Sequence, residues 1–392
     1  KHIATRGKRA IVWVGLAIVC PFAGTLRVAA QSDGEEAPPV APERPTNLER
    51  KATFALPGDE SSQYQLKTVI EGLDNPCGLL LRSGDKVDGP HDFYFSESGA
   101  GRILKFSTDD PSALTEVVVG FPRSSYGKGP SYRFGPLGLA FVDLSASKLA
   151  VGTGGLVDGQ EVIQVYSLAD GDELPLEYGL APYLGPIQIG DGSSTGEGNF
   201  FGLAATDSAL FVTANGDDSQ GWILKATISG NKLSDLRTFI PTRDATGATG
   251  PVGVVVNPKP DYGYLVVSHM GGTSGDRDSQ LTFFSPRTGK LALSLALGLF
   301  DVVALAYSPS GDLYAADFAW GDPSTGGVYR IDEVQIDGRQ ACQAVKIASV
   351  PHPTSLAFAP DTSLYVAAFG AASEDASNDE PRGSLHRIAG DL

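Results

Sequence analysis

The amino-acid sequence predicts an all-β protein built from one repeated unit of four strands. A strand of the form Leu-Tyr-Val-Ala occurs six times, each time preceded by a small-residue turn and an apolar strand. The copies follow one another at intervals of about fifty residues, and no long amphipathic helical pattern interrupts them. Gly (48) and Pro (26) are abundant, as many short strands joined by tight turns require. Together these features predict a six-bladed β-propeller of four-stranded antiparallel blades.

The chain begins with a segment typical of a targeting signal. Lys1–Arg9 is basic, Ala10–Leu26 is an apolar run broken by Pro21, and Val28-Ala29-Ala30 offers small residues for cleavage. We therefore expect residues 1–30 to be a signal peptide and the protein to be exported to the periplasm or the medium. An uncleaved membrane anchor is the alternative, because the run is close to the ~17-residue lower limit for a span.

Residues 31–62 are rich in Pro, Glu and Ala and show no apolar period. This composition is typical of a disordered, extended linker. The propeller is then expected to occupy residues 63–392.

The innermost strand of each blade carries a small residue at its third position. These residues are Gly78, Gly138, Gly202, Gly253, Ala304 and Ser355, at successive spacings of 60, 64, 51, 51 and 51. Inner strands crowd around a narrow axis, so a small residue there has a steric reason. The longer first intervals indicate insertions in the first blades.

The last blade lacks an outer strand, because the chain ends at Leu392, soon after the third strand at Leu385–Ile388. Leu66–Ile70 is an additional strand before blade one. We expect it to complete blade six and close the ring, since an open ring would expose sheet edges. Cys77 then lies near the axis and Cys342 in an outer strand, so both are predicted to be free thiols.

The formal net charge of −16 excludes nucleic acid as a plausible partner, because an acidic surface repels phosphate backbones. The simplest interpretation of the acidic charge is that it keeps the protein soluble. We expect no membrane association after signal cleavage, and a monomer.

Turns before the inner strands and turns between the second and third strands lie on one face, which we call the loop-rich face. Glu97, His269 and Asp317 end equivalent second strands in blades one, four and five. They could converge on a divalent cation such as calcium, which prefers oxygen ligands. The competing interpretation is that each carboxylate accepts backbone N–H bonds in its own turn. Asn75, Asn199, Asp301 and His352, just before the inner strands, form the predicted ligand-binding set together with His269.

Three segments resemble the repeats of a superfamily of six-bladed propellers; they are Gly72–Gly78, Ser96–Ile103 and Ser310–Asp317. It holds NHL-repeat proteins, gluconolactonases of the regucalcin type, strictosidine-synthase-like proteins and quinone-dependent sugar dehydrogenases. The resemblance implies the fold more strongly than an activity. A regucalcin-type lactonase carries a Glu before the first inner strand, where this chain has Asn75-Pro76. The quinone enzymes need basic residues, whereas the loops here are mostly acidic. The chain is therefore most similar to the NHL-type propellers.

These patterns favour an exported, soluble propeller that binds a small ligand or a protein partner on its loop-rich face. Two enzymatic alternatives stay open. One is a metal-dependent hydrolase or lactonase that uses Glu97, His269 and Asp317. The other is a quinone-dependent sugar dehydrogenase.

Overall fold

The structure is a computed structural model that describes residues 54–82, 89–126, 132–157, 159–168, 174–187, 198–215, 220–230, 232–258, 263–272, 275–369 and 382–392. The predicted signal segment and most of the predicted linker lie outside these residues. In the described part of the chain, no helix is long and apolar enough to cross a membrane.

The described chain forms the predicted six-bladed propeller. Each blade is a mainly antiparallel sheet whose strands follow one another outward from the axis in chain order, except that blade six takes its outer strand from the start of the domain. From the axis outward, the strands are Pro76–Leu81, Asp92–Glu97, Arg102–Ser107 and Thr115–Val119 in blade one; Pro136–Phe141, Lys148–Thr153, Ile163–Ser167 and Tyr183–Leu184 in blade two; Leu203–Ala205, Ala209–Ala214, Trp222–Ser229 and Arg237–Pro241 in blade three; Pro251–Val256, Leu265–His269, Gln280–Phe284 and Leu291–Ala296 in blade four; Val302–Tyr307, Leu313–Asp317, Gly327–Ile336 and Arg339–Ala348 in blade five; and Pro353–Phe358, Leu364–Ala368, Gly383–Ala389 and Gln65–Leu73 in blade six.

Several short elements lie outside the four-stranded blades. They are the strands Gly58–Asp59, Leu176–Glu177 and Lys232–Leu233, the hairpin of Ser124–Tyr126 with Tyr132–Phe134, the α-helix Thr242–Thr246, and the 3-10 turns Ser61–Gln63 and Pro323–Thr325. Leu176–Glu177 pairs in parallel with the outer strand of blade one, just before the chain supplies the outer strand of blade two.

The described chain packs on the propeller before residue 63, inside the segment predicted as a linker. Gly58–Asp59 pairs in parallel with Val345–Lys346 of blade five. Glu60 then forms an ion pair with Arg330, with 3.2 Å between the oxygen and the nitrogen. A polar composition does not reveal that a segment can add to an exposed sheet edge, because that pairing uses backbone groups.

The ring is closed as predicted. Gln65–Leu73, which contains the predicted strand Leu66–Ile70, pairs antiparallel with Gly383–Ala389, and Leu66 lies opposite Ile388. The outer edge of blade six is thereby covered by a strand from the opposite end of the domain. Closure of this kind pairs the backbone N–H and C=O groups of the sheet edge, which would otherwise have no strand partner.

Glycine at the third position of the inner strands allows neighbouring blades to approach closely. A Cβ atom added at Gly138 would lie 2.3 Å from the carbonyl oxygen of Phe201, and one at Gly202 would lie 2.1 Å from that of Val252. Such distances are far inside van der Waals contact, so only glycine fits these two positions. The steric explanation drawn from the sequence is confirmed here.

Buried hydroxyl groups tie adjacent inner strands together. The Thr213 hydroxyl accepts the N–H of Gly202 at 2.9 Å and donates to the carbonyl oxygen of Val252 in the next blade at 2.8 Å. Ser96 makes the equivalent pair of bonds to Gly78 and Leu137, each at 2.7 Å. Between blades six and one, the Thr354 hydroxyl donates to the carbonyl oxygen of Pro76 at 2.7 Å. These bonds satisfy buried backbone groups that the blade ladders leave open.

Apolar clusters fill the spaces between blades. Between blades six and one, the rings of Phe93 and Tyr365 lie 4.5 Å apart and those of Phe93 and Phe106 lie 5.3 Å apart. Cys77 and Cys342 are both buried and free, as predicted. Burial raises the pKa of Cys77 to about 12 and that of Cys342 to about 11.

Candidate functional site on the loop-rich face

One backbone hydrogen bond recurs on the loop-rich face and fixes where the predicted ligand-binding residues lie. The residue after the second strand donates its N–H to the carbonyl oxygen of the residue before the inner strand. Ser98 donates to Asn75 at 3.1 Å, Phe318 to Asp301 at 2.9 Å and Phe369 to His352 at 3.0 Å. Asn75, Asp301 and His352 therefore occupy equivalent places beside the axis in blades one, five and six.

Asn75, Asn199 and His352 share a left-handed backbone, with φ of 48°, 39° and 48°. Asparagine and histidine tolerate this conformation better than most residues, which gives each position a structural reason independent of any ligand. The Asn75 side chain also donates to the carbonyl oxygen of Arg133 at 3.1 Å. A ligand-binding role for Asn75 and Asn199 remains a prediction.

Glu97 uses both carboxylate oxygens inside the protein. Oε1 accepts the N–H of Asp74 at 2.9 Å, and Oε2 pairs with Nε of Arg102 at 2.6 Å. The side chain is 3% exposed. Asp74 lies in the turn before the first inner strand, so this bond joins the end of the second strand to the start of the first.

Asp317 plays the corresponding part in blade five. Its two oxygens accept the N–H groups of Asp301 at 2.7 Å and of Phe300 at 3.1 Å, in the turn before the inner strand. Burial raises the pKa of Asp317, and these backbone donors, together with that of Ala319, act in the opposite direction. Both carboxylates therefore have the local capping contacts that the sequence left as the alternative to metal binding.

His269 ends the second strand of blade four and is also buried. Its Nε2 lies 2.9 Å from the hydroxyl oxygen of Thr282, which lies 3.3 Å from the carbonyl oxygen of Val267. Burial lowers the pKa of His269 to about 4, although the backbone of Thr249 acts against this effect. The imidazole is therefore neutral at pH 7.

The described side chains do not include a group of three or more His, Cys, Asp or Glu residues placed to hold a metal ion. Glu97, His269 and Asp317 are thus not brought into one metal-binding group. Calcium binding by these residues remains a prediction without support from their contacts.

An apolar cluster covers the axis on the loop-rich face. We call its rings the aromatic cluster; they are Tyr132, Phe134, Phe318, Trp320, Phe369 and His352. The Phe318 ring stacks on His352 at 4.3 Å and on Trp320 at 5.2 Å, and Tyr132 lies 5.3 Å from Trp320. Separations of this order are typical of direct aromatic packing. The cluster also contains Leu137, Val252 and Val303 from inner strands, so the rings lie at the axis. Trp320 stays partly exposed.

Asp301 lies against this cluster and combines burial with an unsatisfied oxygen. Its Oδ2 accepts the N–H of Trp320 at 2.7 Å. Its Oδ1 is buried and has no hydrogen-bond partner among the described residues. Burial raises the pKa of Asp301 to about 6, and the carboxylates of Asp317 and Asp278 add to that effect. The structure therefore brings two predicted residues to the Phe318–Trp320 segment. Asp301 bonds to its backbone, and the His352 ring stacks on Phe318.

The aromatic cluster was not predicted, although part of it had a signal. Phe318 and Phe369 directly follow the second strands of blades five and six, where blades one and two carry Ser98 and Gly154. Aligning the residue after each second strand would have revealed two aromatic residues in neighbouring blades of the propeller. Tyr132 had no such signal, because it belongs to a hairpin inserted between blades one and two.

No family model matches the sequence, and no curated protein matches it. Solved propellers do match. A PQQ-bound aldose sugar dehydrogenase from Streptomyces coelicolor is 16% identical with a TM-score of 0.54, covering 86% of this chain and 100% of its own. A putative oxidoreductase (glucose dehydrogenase) from Thermus thermophilus is 19% identical with a TM-score of 0.53, covering 83% and 100%. A luciferin-regenerating enzyme is 14% identical with a TM-score of 0.53, covering 83% and 95%. At these identities the likeness shows the fold, and the chain has the six-bladed propeller architecture that the sequence predicted.

Proposed function

We propose that the protein is an exported, monomeric binding propeller that holds a small ligand beside Asp301 and Trp320 on the loop-rich face. One observation carries the proposal. Oδ1 of Asp301 is buried without a hydrogen-bond donor among the described residues, next to a tryptophan that is partly exposed. An unsatisfied buried oxygen costs roughly 1–3 kcal/mol, so a ligand that displaces its cover and supplies a donor would be favoured.

The surroundings of Asp301 indicate the chemistry of that ligand. Two further carboxylates, Asp317 and Asp278, act on Asp301, and the Arg277 guanidinium acts on Asp317. Three carboxylates against one cation favour a positively charged ligand. The Trp320 ring can stack on a flat group or attract a cation. A small amine that carries an aromatic or apolar group satisfies both features.

The hydrolase and sugar dehydrogenase alternatives receive less support. Glu97 and Asp317 already bond to Arg102 and to backbone N–H groups, and His269 is buried against Thr282. A calcium ion or an activated water would have to displace these contacts. The solved structures of this fold include proteins named as enzymes, but they share only the fold with this chain at their level of identity.

The proposal can be tested with benzylamine as the probe and tryptophan fluorescence as the signal. The Trp222→Phe background leaves Trp320 as the reporter within the propeller. Benzylamine is expected to change the emission, and Asp301→Asn should weaken its binding at least about tenfold through loss of the charged acceptor. Asp361→Asn, in a turn on the opposite face, is the matched control and should bind normally.

Two results would contradict the proposal. One is benzylamine binding that Asp301→Asn leaves unchanged while circular dichroism shows that both variants fold as the parent protein does. The other is turnover of a sugar lactone with calcium, or of glucose with a quinone cofactor, which would establish an enzymatic alternative instead.

A further inference from the structure

A cavity runs along the propeller axis and opens on the face opposite the aromatic cluster. Its volume is about 300 Å³, and it adjoins a wider recess of about 660 Å³. Phe201 and Val303 line its loop-side end and belong to the same apolar cluster as the aromatic rings. Pro258, Pro309 and Pro360 surround the recess, in or beside turns that join first and second strands. The cavity is therefore covered at one end and open at the other.

None of the described residues that line the cavity or the recess is Asp, Glu, His, Lys or Arg. Most are Leu, Val, Ala, Phe or Gly. The polar side chains among them already have partners: the Thr354 hydroxyl donates to the carbonyl oxygen of Pro76 at 2.7 Å, and Ser355 Oγ accepts the N–H of Leu79 at 3.1 Å. Burial raises the pKa of Tyr307 to about 12, although a hydrogen bond with the Asn257 side chain lowers it in part. The phenol is therefore neutral. The lining therefore carries no charge, and its surface combines apolar side chains with backbone polar groups of the inner strands.

The dimensions of the cavity restrict its occupant further. Its wall runs from Val303 to Tyr307 along one inner strand, about 13 Å at ~3.3 Å per residue. Close packing at Gly138 and Gly202 keeps the passage narrow. A volume of about 300 Å³ lies at the lower end of small-molecule sites and excludes a folded partner.

We propose that this cavity binds an unbranched aliphatic chain, which enters tail first and leaves its polar head in the recess. A flexible methylene chain fits a narrow uncharged passage and makes contact with Leu81, Leu203 and Phe358 at the wider end. A branched or charged group would meet either the inner strands or a lining without counter-charges. The site lies on the face opposite Asp301, so it is independent of the function proposed above.

The test uses a dansyl-labelled fatty acid, displaced by straight-chain carboxylates of increasing length. Each added methylene that enters the cavity should raise the affinity about fourfold, which corresponds to ~0.8 kcal/mol. The rise should stop once the chain spans the cavity. Binding without this length dependence would indicate only superficial adsorption and would overturn the proposal.

Two variants and a control connect the binding to the cavity. Ala357 lines the cavity and is partly exposed, so Ala357→Leu adds volume inside it and should weaken binding roughly tenfold, the loss of nearly two methylenes of burial. Leu203→Ala removes a lining contact and should weaken binding without blocking the passage. Ala113→Leu introduces the same alanine-to-leucine exchange in an exposed turn, and this control variant should bind the fatty acid as the parent does.

Unchanged displacement in the folded Ala357→Leu and Leu203→Ala variants would overturn the proposal. So would a crystal soaked with a medium-chain fatty acid in which water alone occupies the axis. Electron density for the chain along the inner strands, together with the length dependence, would establish it.

Discussion

Replacing Asp317 by alanine separates the local capping role of this carboxylate from a role in metal binding. The substitution leaves the N–H groups of Asp301 and Phe300 without their acceptor in a buried turn. Each unsatisfied donor costs roughly 1–3 kcal/mol, and relief from burying the carboxylate offsets part of this. We therefore expect Asp317→Ala to lower the free energy of unfolding by ~2–4 kcal/mol. For a domain of this size, that change lowers the melting temperature by roughly 3–6 °C.

The assay is thermal and urea unfolding with and without calcium. Glu97→Ala removes the equivalent cap in blade one and should behave similarly, whereas Asp235→Ala at an exposed position should have no effect. Capping predicts that calcium and a chelator leave the melting temperature of the parent protein unchanged. A metal site predicts that calcium stabilises the parent by mass action and loses this effect in Asp317→Ala. The capping explanation is wrong if the variant is as stable as the parent, or if calcium stabilises only the parent.

Three further outcomes follow from buried polar groups. Because the pKa of Asp301 is raised to about 6, its ionisation in the folded protein opposes stability as pH rises above the ordinary value of 3.8. Asp301→Asn should therefore become more stable relative to the parent as the pH rises from about 4 to about 7 in urea unfolding. A pH-independent difference between the two proteins would contradict the raised pKa. Thr213→Val removes a hydroxyl with two buried backbone partners and should lower the free energy of unfolding by ~2–4 kcal/mol. Thr213→Ser keeps the hydroxyl and should retain most of that stability. Equal losses of stability in the two variants would refute the hydroxyl bridge. A thiol reagent should label neither Cys77 nor Cys342 in the folded protein and both after denaturation without reductant, which mass spectrometry can count.

The architecture was predictable because it depends on local rules that repeat six times. Alternating apolar residues define strands, and the small residues from Gly78 to Ser355 mark the axis without further information. The role of Leu66–Ile70 followed from a missing outer strand in the last repeat, since sheet edges need a partner. The free thiols followed from the same assignment of strands to positions.

The contacts of the polar site residues could not be predicted in the same way. The sequence placed Glu97, His269 and Asp317 on equivalent strand ends, but a carboxylate bonds to whichever donor lies nearest in space. For Glu97 and Asp317 the nearest donors are backbone N–H groups of the adjoining turn, together with Arg102.

The aromatic cluster and the axial cavity exist only in the tertiary structure. Tyr132 reaches the axis through an inserted hairpin, and it meets Phe318 and Phe369 from blades five and six. The sequence by itself determined six blades, their axis and their closure, because those depend on periodicity and residue size. Ring closure decided which side chains meet at the axis, because it brings the first and last blades into contact. Within blade five, the fold of the loop around Trp320 left Asp301 with an unsatisfied oxygen.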